Sequence, residues 1–217
     1  MGNSCCCAEH QTAVKSNIAF FDELPPGVSQ TTVDHVCDGD TLTIHGENCA
    51  RVRLLGIDAP QRRGNDPYAR RATEYLKKMC PANATVWLQV QSGGNDPDGQ
   101  TLALLFVSNP SGGGGFMCVN IALLERGLAT FHNPAESRIL FGDQMLNAQQ
   151  IAITSKLNIW KKQNIQGEVV CTPNGISFHT PDCITIEQAQ LSNLQRLPMA
   201  QALAKGLSPC RQCDSMR

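Results

Sequence analysis

Two groups of residues in this 217-residue chain have types and spacings that could do chemistry. One lies towards the C-terminus. His179 precedes Cys183 by a helical-turn interval, and after a long excursion comes Cys210-Arg211-Gln212-Cys213. A Cys-x-x-Cys knuckle lets two thiolates converge on one ion, and His179 with Cys183 completes a set suited to tetrahedral Zn2+. Four protein ligands leave no position for water, so the expected role is structural, as a staple for a segment with few large apolar side chains. The other group is Asp38-Gly39-Asp40-Thr41, followed a dozen residues later by Val52-Arg53-Leu54-Leu55-Gly56-Ile57-Asp58-Ala59-Pro60. Carboxylate oxygens suit a hard cation, and a guanidinium forks onto phosphate oxygens. Asp-Gly is common in turns, so the plainer alternative is that both aspartates satisfy turns and Arg53 pairs with them.

The elements that must position these residues are short. Thr31–Cys37 and Thr41–His45 flank Asp38-Gly39 as a hairpin, and Arg51–Ile57 reads as a third strand. Pro67–Met79 reads as a helix with Asp66 as its cap, and Tyr68, Ala72, Tyr75, Leu76 and Met79 fall on one face. Strands Thr85–Val90 and Thr101–Val107 follow, joined through Asp96-Pro97-Asp98-Gly99, with a short strand at Phe116–Cys118. A helix from about Asn120 stops at Gly127, and Asn133-Pro134-Ala135-Glu136 reads as the cap of a helix running to about Ser155. The fold class is α+β: a five-stranded OB-type barrel with appended helices, plus a small zinc-stapled C-terminal module. The expected organisation is a tail at residues 1–30, the barrel domain at 31–161, a linker at 162–167 and the zinc module at 168–217.

Together, the Asp38–Thr41 turn and the Val52–Pro60 stretch resemble the staphylococcal-nuclease (thermonuclease) family. The resemblance continues through Tyr68–Lys78, Asp98-Gly99 before Leu102-Ala103, the Leu124–Ala129 helix end and Lys156-Leu157-Asn158-Ile159-Trp160. It implies the OB barrel and calcium-dependent hydrolysis of DNA or RNA phosphodiesters. On that resemblance Asp40 and Asp58 match the two Ca2+ carboxylates. Ala59 stands where the family supplies a backbone carbonyl, although the usual side chain there is Thr. Arg53 matches one of two arginines on the phosphate. Two catalytic positions depart from the pattern: Gln61 replaces a Glu that acts on the attacking water, and Gln100 replaces the second arginine. An amide orients water but does not take its proton near neutral pH. The expectation is a metal-assisted phosphodiester hydrolase with weakened turnover, and the alternative is a non-catalytic nucleic-acid or protein binding module. Arg62 and Arg63 are either substitute charges or ordinary loop-surface residues.

The C-terminal segment Ala202–Cys210, with its ligand spacing, resembles the zinc-binding domain of the Ada methylphosphotriester repair proteins over residues 168–215. The methyl-accepting cysteine of that family is His179 here, so methyl transfer is not expected. Cys171 is either an alternative ligand or a packed thiol.

The formal net charge of −1 argues against a general nucleic-acid binder. Locally the balance differs. Arg51, Arg53, Arg62, Arg63, Arg70, Arg71, Lys77 and Lys78 outnumber Asp58, Asp66 and Glu74, an excess that steers polyanions to one face or simply solvates it. The eleven cysteines are not spread as a disulfide framework, since three open the chain and four lie in the last fifty residues. Met1-Gly2-Asn3-Ser4 with Cys5, Cys6 and Cys7 reads as a flexible tail or as a myristoylation and palmitoylation signal in a eukaryotic host. With no signal peptide visible, a cytoplasmic monomer is expected, with nucleic acid as partner and membrane contact only if that tail is lipidated.

Overall fold

A computed structural model describes residues 18–46, 50–61, 67–96, 98–133, 139–187 and 193–213, without the side chains of 92–94. The tail residues Gly2, Cys5, Cys6 and Cys7, together with Arg62, Arg63, Asp66 and the Pro134-Ala135-Glu136 segment, lie outside the described residues.

Among the described residues, nine strands and three α-helices build the first part of the chain: β1 (Phe20–Phe21), β2 (Ser29–Val36), β3 (Thr41–Ile44), β4 (Arg51–Leu54), β5 (Ile57–Asp58), α1 (Pro67–Met79), β6 (Thr85–Asn95), β7 (Thr101–Ser108), β8 (Phe116–Cys118), α2 (Val119–Glu125), β9 (Thr130–Phe131) and α3 (Gly142–Thr154). β3 pairs antiparallel with β2 and β4, and β4 runs parallel to β7. β6 pairs antiparallel with both β7 and β2, which closes a five-stranded barrel. Closure removes exposed sheet edges and leaves one interior for Val33, Leu42, Val52, Leu54, Val86, Leu88 and Ala103, all buried. The barrel with its helices is the α+β architecture anticipated from the sequence.

The expected third strand is divided. After Leu54 the chain turns at Leu55-Gly56, and Ile57–Asp58 pairs with Thr130–Phe131 instead of continuing the barrel. Gly56 sits at φ 78°, where an added Cβ would meet the Met145 sulfur at 2.7 Å. Only glycine makes that turn so close to α3. Asn120 fixes it from below: its Nδ2 donates to Leu55 O (2.8 Å) and Ala103 O (3.2 Å), and Leu105 N donates to its Oδ1 (2.9 Å). The helix expected from residue 133 begins at Gly142. Phe141 before it is held left-handed (φ 63°) with its ring against Phe21 (centroids 4.8 Å apart), which prevents a continuous helix.

The remainder forms β10 (Glu168–Cys171), β11 (Ser177–Phe178), β12 (Gln195–Pro198), α4 (Met199–Ala204) and β13 (Ser208–Pro209). β10 pairs antiparallel with β12, and β11 pairs parallel with β13. Its core residues Val169, Phe178, Leu197 and Leu203 pack in one cluster with Ala152, Ile153 and Trp160. Apolar contact therefore runs unbroken from α3 into the C-terminal segment. The 162–167 connection is tied down as well: Ala200 N donates to Ile165 O (2.7 Å) and Met199 N to Gly167 O (2.9 Å). No helix among the described residues is long and apolar enough to cross a membrane.

Candidate metal and phosphate site

The β2–β3 turn carries Asp40 inward, and Gly39 makes the approach possible. A Cβ on Gly39 would lie 2.7 Å from Ala72 Cβ and 2.9 Å from Ala59 Cβ, so the turn is wedged between α1 and the chain just after Asp58. Asp40 is buried. Its Oδ1 accepts from the Thr41 hydroxyl (2.9 Å) and its Oδ2 from Ala59 N (3.1 Å). Burial pushes its carboxyl above the usual range, and the nearby Asp58 charge pushes the same way, while Arg53 opposes both. A pair of carboxylates in this condition is stabilised by added positive charge.

Arg53 projects from β4 between them. Its Nη2 lies 2.9 Å from Asp58 Oδ1 and 3.6 Å from Asp40 Oδ2, and its Nη1 lies 3.9 Å from Asp96 Oδ2. Asp96 also holds the β6–β7 turn. Its Oδ1 accepts from the amides of Asp98 (3.0 Å) and Gln100 (2.8 Å). The Gln100 side chain is committed there too, with Nε2 donating to Asp96 Oδ2 (3.1 Å), while its buried Oε1 has no hydrogen-bond partner among the described residues. Gln61 is exposed at the edge of the described chain. Asp40, Arg53, Asp58 and Ala59 are thus brought together, Gln100 is linked to them through Asp96, and no hydrogen bond among the described residues joins Gln61 to this group.

Spacing gave no hint of two further residues at the site. Arg211, in the middle of the Cys-x-x-Cys knuckle, reaches across from the C-terminal segment. Its Nε donates to Asp58 Oδ2 (2.9 Å), and its Nη2 donates to Asp58 Oδ1. This two-pronged contact raises the affinity of the guanidinium for its proton. His132, just after β9, lies in the same electrostatic environment. Burial lowers its pKa, Asp58 pulls upward, and Arg211 and Arg53 push further down. Ser208 Oγ lies 2.9 Å from His132 Nδ1 and 3.2 Å from Phe131 O, joining the C-terminal segment to the end of β9. The only sequence signal for Arg211 was its position between two ligand cysteines, which fixes where the backbone goes but not where the side chain points.

The second constellation assembles as one cluster. Single ligand atoms from His179, Cys183, Cys210 and Cys213 all lie within 4.8 Å of one another. Zinc–sulfur bonds of about 2.3 Å in a tetrahedron place sulfurs about 3.8 Å apart, so the donor set and its size fit the ion. The pieces are held by the fold. His179 N donates to Val170 O (2.8 Å), Thr180 N to Cys213 Sγ (3.4 Å) and Gln212 N to Cys210 Sγ (3.4 Å). Burial alone would raise the Cys183 thiol, but hydrogen bonds with Thr185 and His179 outweigh it and bring the thiol down to about 6. A thiol that ionises readily is what a metal ligand requires. Cys171 is buried in the apolar cluster behind this site, outside the four-ligand set.

A cleft of about 1160 Å3 lies elsewhere, between Ile139–Leu146 and the Pro173–Ile176 and Lys205–Leu207 turns. It includes none of the residues of either constellation.

Residues 51–162, just over half of the chain, match the family described as staphylococcal nuclease homologue. Two proteins of Bacillus subtilis (strain 168) align with 60% of this chain over 137 residues. They are the SPbeta prophage-derived endonuclease YokF, 30% identical and covered over 44% of its length, and the endonuclease YncB, 29% identical and covered over 61%. The chain therefore spans less than two thirds of either relative. The family match contains Arg53, Asp58, Ala59, Gln61 and Gln100 and ends before the Cys/His cluster. With a closed five-stranded barrel carrying a carboxylate pair around an arginine, the chain belongs to the staphylococcal nuclease homologue family.

Proposed function

We propose that the barrel site binds a divalent cation, calcium by family, together with a nucleic-acid phosphate, and that it hydrolyses phosphodiester bonds slowly. The observation that carries this reading is the convergence of Asp40 and Asp58 on Arg53. Asp40 and Asp58 would hold the cation, with Ala59 beside them. Oxygen donors and a buried excess of negative charge fit a hard ion. When bound, such a cation neutralises phosphate charge and presents an activated water. The chain's own contribution starts with Arg53, whose guanidinium can turn its fork from Asp58 to phosphate oxygens. Gln61 can orient water but leaves its proton in place, and Gln100 is neutral and tied to Asp96. Each loss of this kind costs about 10²-fold in rate, and losses within one catalytic unit do not simply add. The names of the two Bacillus relatives support a nuclease ancestry for the barrel. We also infer that His179, Cys183, Cys210 and Cys213 hold zinc in a structural role, as the Ada-like resemblance suggests.

The second reading, binding without cutting, is favoured by Gln61 and Gln100 themselves. A cleavage assay on single-stranded DNA and RNA, with and without calcium, separates the two when run beside Gln61→Glu/Gln100→Arg. Weak calcium-dependent cleavage that rises strongly in the double variant supports a weakened nuclease. Robust cleavage by the parent chain, abolished by Arg53→Ala, would overturn the weakening. Absence of cleavage in both proteins, with oligonucleotide binding retained, establishes the binding module.

A further inference from the structure

We propose that Arg211 is the second phosphate-binding arginine of the barrel site, delivered from the Cys-x-x-Cys knuckle in place of the arginine missing at Gln100. The inference rests on reading Asp40, Arg53 and Asp58 as a cation and phosphate site.

Charge makes the case first. Three carboxylates, those of Asp40, Asp58 and Asp96, surround the single guanidinium of Arg53 within 4 Å. Without a bound cation, a phosphate approaching that arrangement meets a net negative wall, and the neutral Gln100 amide is held by Asp96 and adds no charge to offset it. Among the described residues, Arg211 is the other cation paired with Asp58. Its side chain is 46% exposed against 18% for Asp58, so it stands at the mouth of the site, where an entering anion meets it first. The contact with Asp58 uses two of the five guanidinium N–H groups, which leaves donors for a phosphate.

Delivery is the second argument. A flexible surface arginine would lose much side-chain and backbone freedom on reaching this position. Here the backbone is fixed on both sides. Cys210 N donates to Phe178 O (2.9 Å), and Gln212 N donates to Cys210 Sγ. Ser208, buried three residues earlier, bonds both Phe131 and His132 of the barrel domain. The knuckle is therefore registered against the strand that pairs with Ile57–Asp58, the strand that bears the contacted carboxylate.

The test is binding of a fluorescein-labelled, cleavage-resistant phosphorothioate single strand to the full chain, metal-loaded at the Cys/His cluster and with calcium present, read by anisotropy across a salt series. Arg211→Gln is expected to weaken binding by about 10-fold or more and to flatten the slope of log K against log salt by somewhat under one unit. Arg211→Lys should recover part of the loss, because the charge returns without the fork. Gln100→Arg should restore binding in the Arg211→Gln background, a rescue that a merely structural role for Arg211 would not produce. Thermal melts of each variant confirm that the fold is intact. Unchanged binding in Arg211→Gln, with Arg53→Ala still weakening it, overturns the inference and leaves the site reading standing. Tighter binding in Arg211→Gln overturns it too and marks Arg211 as a plug on Asp58. If Arg53→Ala leaves binding unchanged, the site reading itself fails and takes this inference with it.

Discussion

The two constellations of this protein are built in opposite ways. The Cys/His cluster is compact and locally spelled: its ligands come as two short-range pairs, and their four ligand atoms lie within 4.8 Å of one another. The barrel site is open and assembled at a distance. It takes Asp40 from one turn, Arg53 from a strand, Asp58 from the chain beyond a glycine turn, and Arg211 from the other end of the molecule. Soft sulfur donors with no vacant position suit a structural ion, whereas carboxylates and guanidiniums in unequal numbers suit exchangeable ligands. The knuckle belongs to both, holding ligands with its cysteines and touching the barrel carboxylate with its arginine. On the proposed reading, the metal cluster and the phosphate site would be coupled through Arg211 and its neighbouring cysteines.

The largest effect should come from breaking the compact site. Stripping its metal, or Cys210→Ser, should destabilise the C-terminal segment by several kcal/mol, since structural zinc in finger peptides is bound by about 10–16 kcal/mol. Hydrogen exchange checks this: amides of β10–β13 should lose protection while those of β2–β4 keep it. Equal loss in the barrel would show that the two regions fold as one unit. Next in size is the coupling. Metal removal should weaken oligonucleotide binding by the same factor as Arg211→Gln, and combining the two should add little, which a double-variant cycle in anisotropy measures. Breaking the open site at its hinge, Gly39→Val should cost about 1–3 kcal/mol through overlap with Ala72 and Ala59. It should also abolish any rise in melting temperature on adding calcium while leaving the metal content of the Cys/His cluster unchanged. The smallest and sharpest test is of thiols. Burial pushes Cys80 and Cys118 up to about 12, so both should resist alkylation in the native protein at pH 8. Cys183, Cys210 and Cys213 should react once the metal is chelated, as intact-mass and peptide mass spectrometry would show.

Much of this was legible in the order of residues. The Asp38-Gly39 hairpin, helix Pro67–Met79, strand Phe116–Cys118 and the Gly127 helix stop are set by turn chemistry, proline placement and hydrophobic period, all of which act over a few residues. The Cys/His set was legible for the same reason, because its two pairs are local. Where sequence reading misjudged an element, a distant contact decided it. Arg51–Ile57 reads as one strand, but Gly56 under Met145 and the Asn120 hydrogen bonds redirect it to β9. The start of α3 was displaced in the same way by Phe141 packing on Phe21.

The sequence by itself determined the family, the carboxylates and first arginine of the barrel, and the two glutamines that distinguish it, because each is a matter of residue type at a marked position. Only the tertiary structure decided that Asp96 occupies Gln100, that His132 falls within the electrostatic reach of Asp58, and that Arg211 closes on Asp58 from 153 positions away. Side-chain direction at a seam between packed segments depends on how the segments dock, and docking is fixed by burial of Trp160, Phe178 and their neighbours, which carries no local signature.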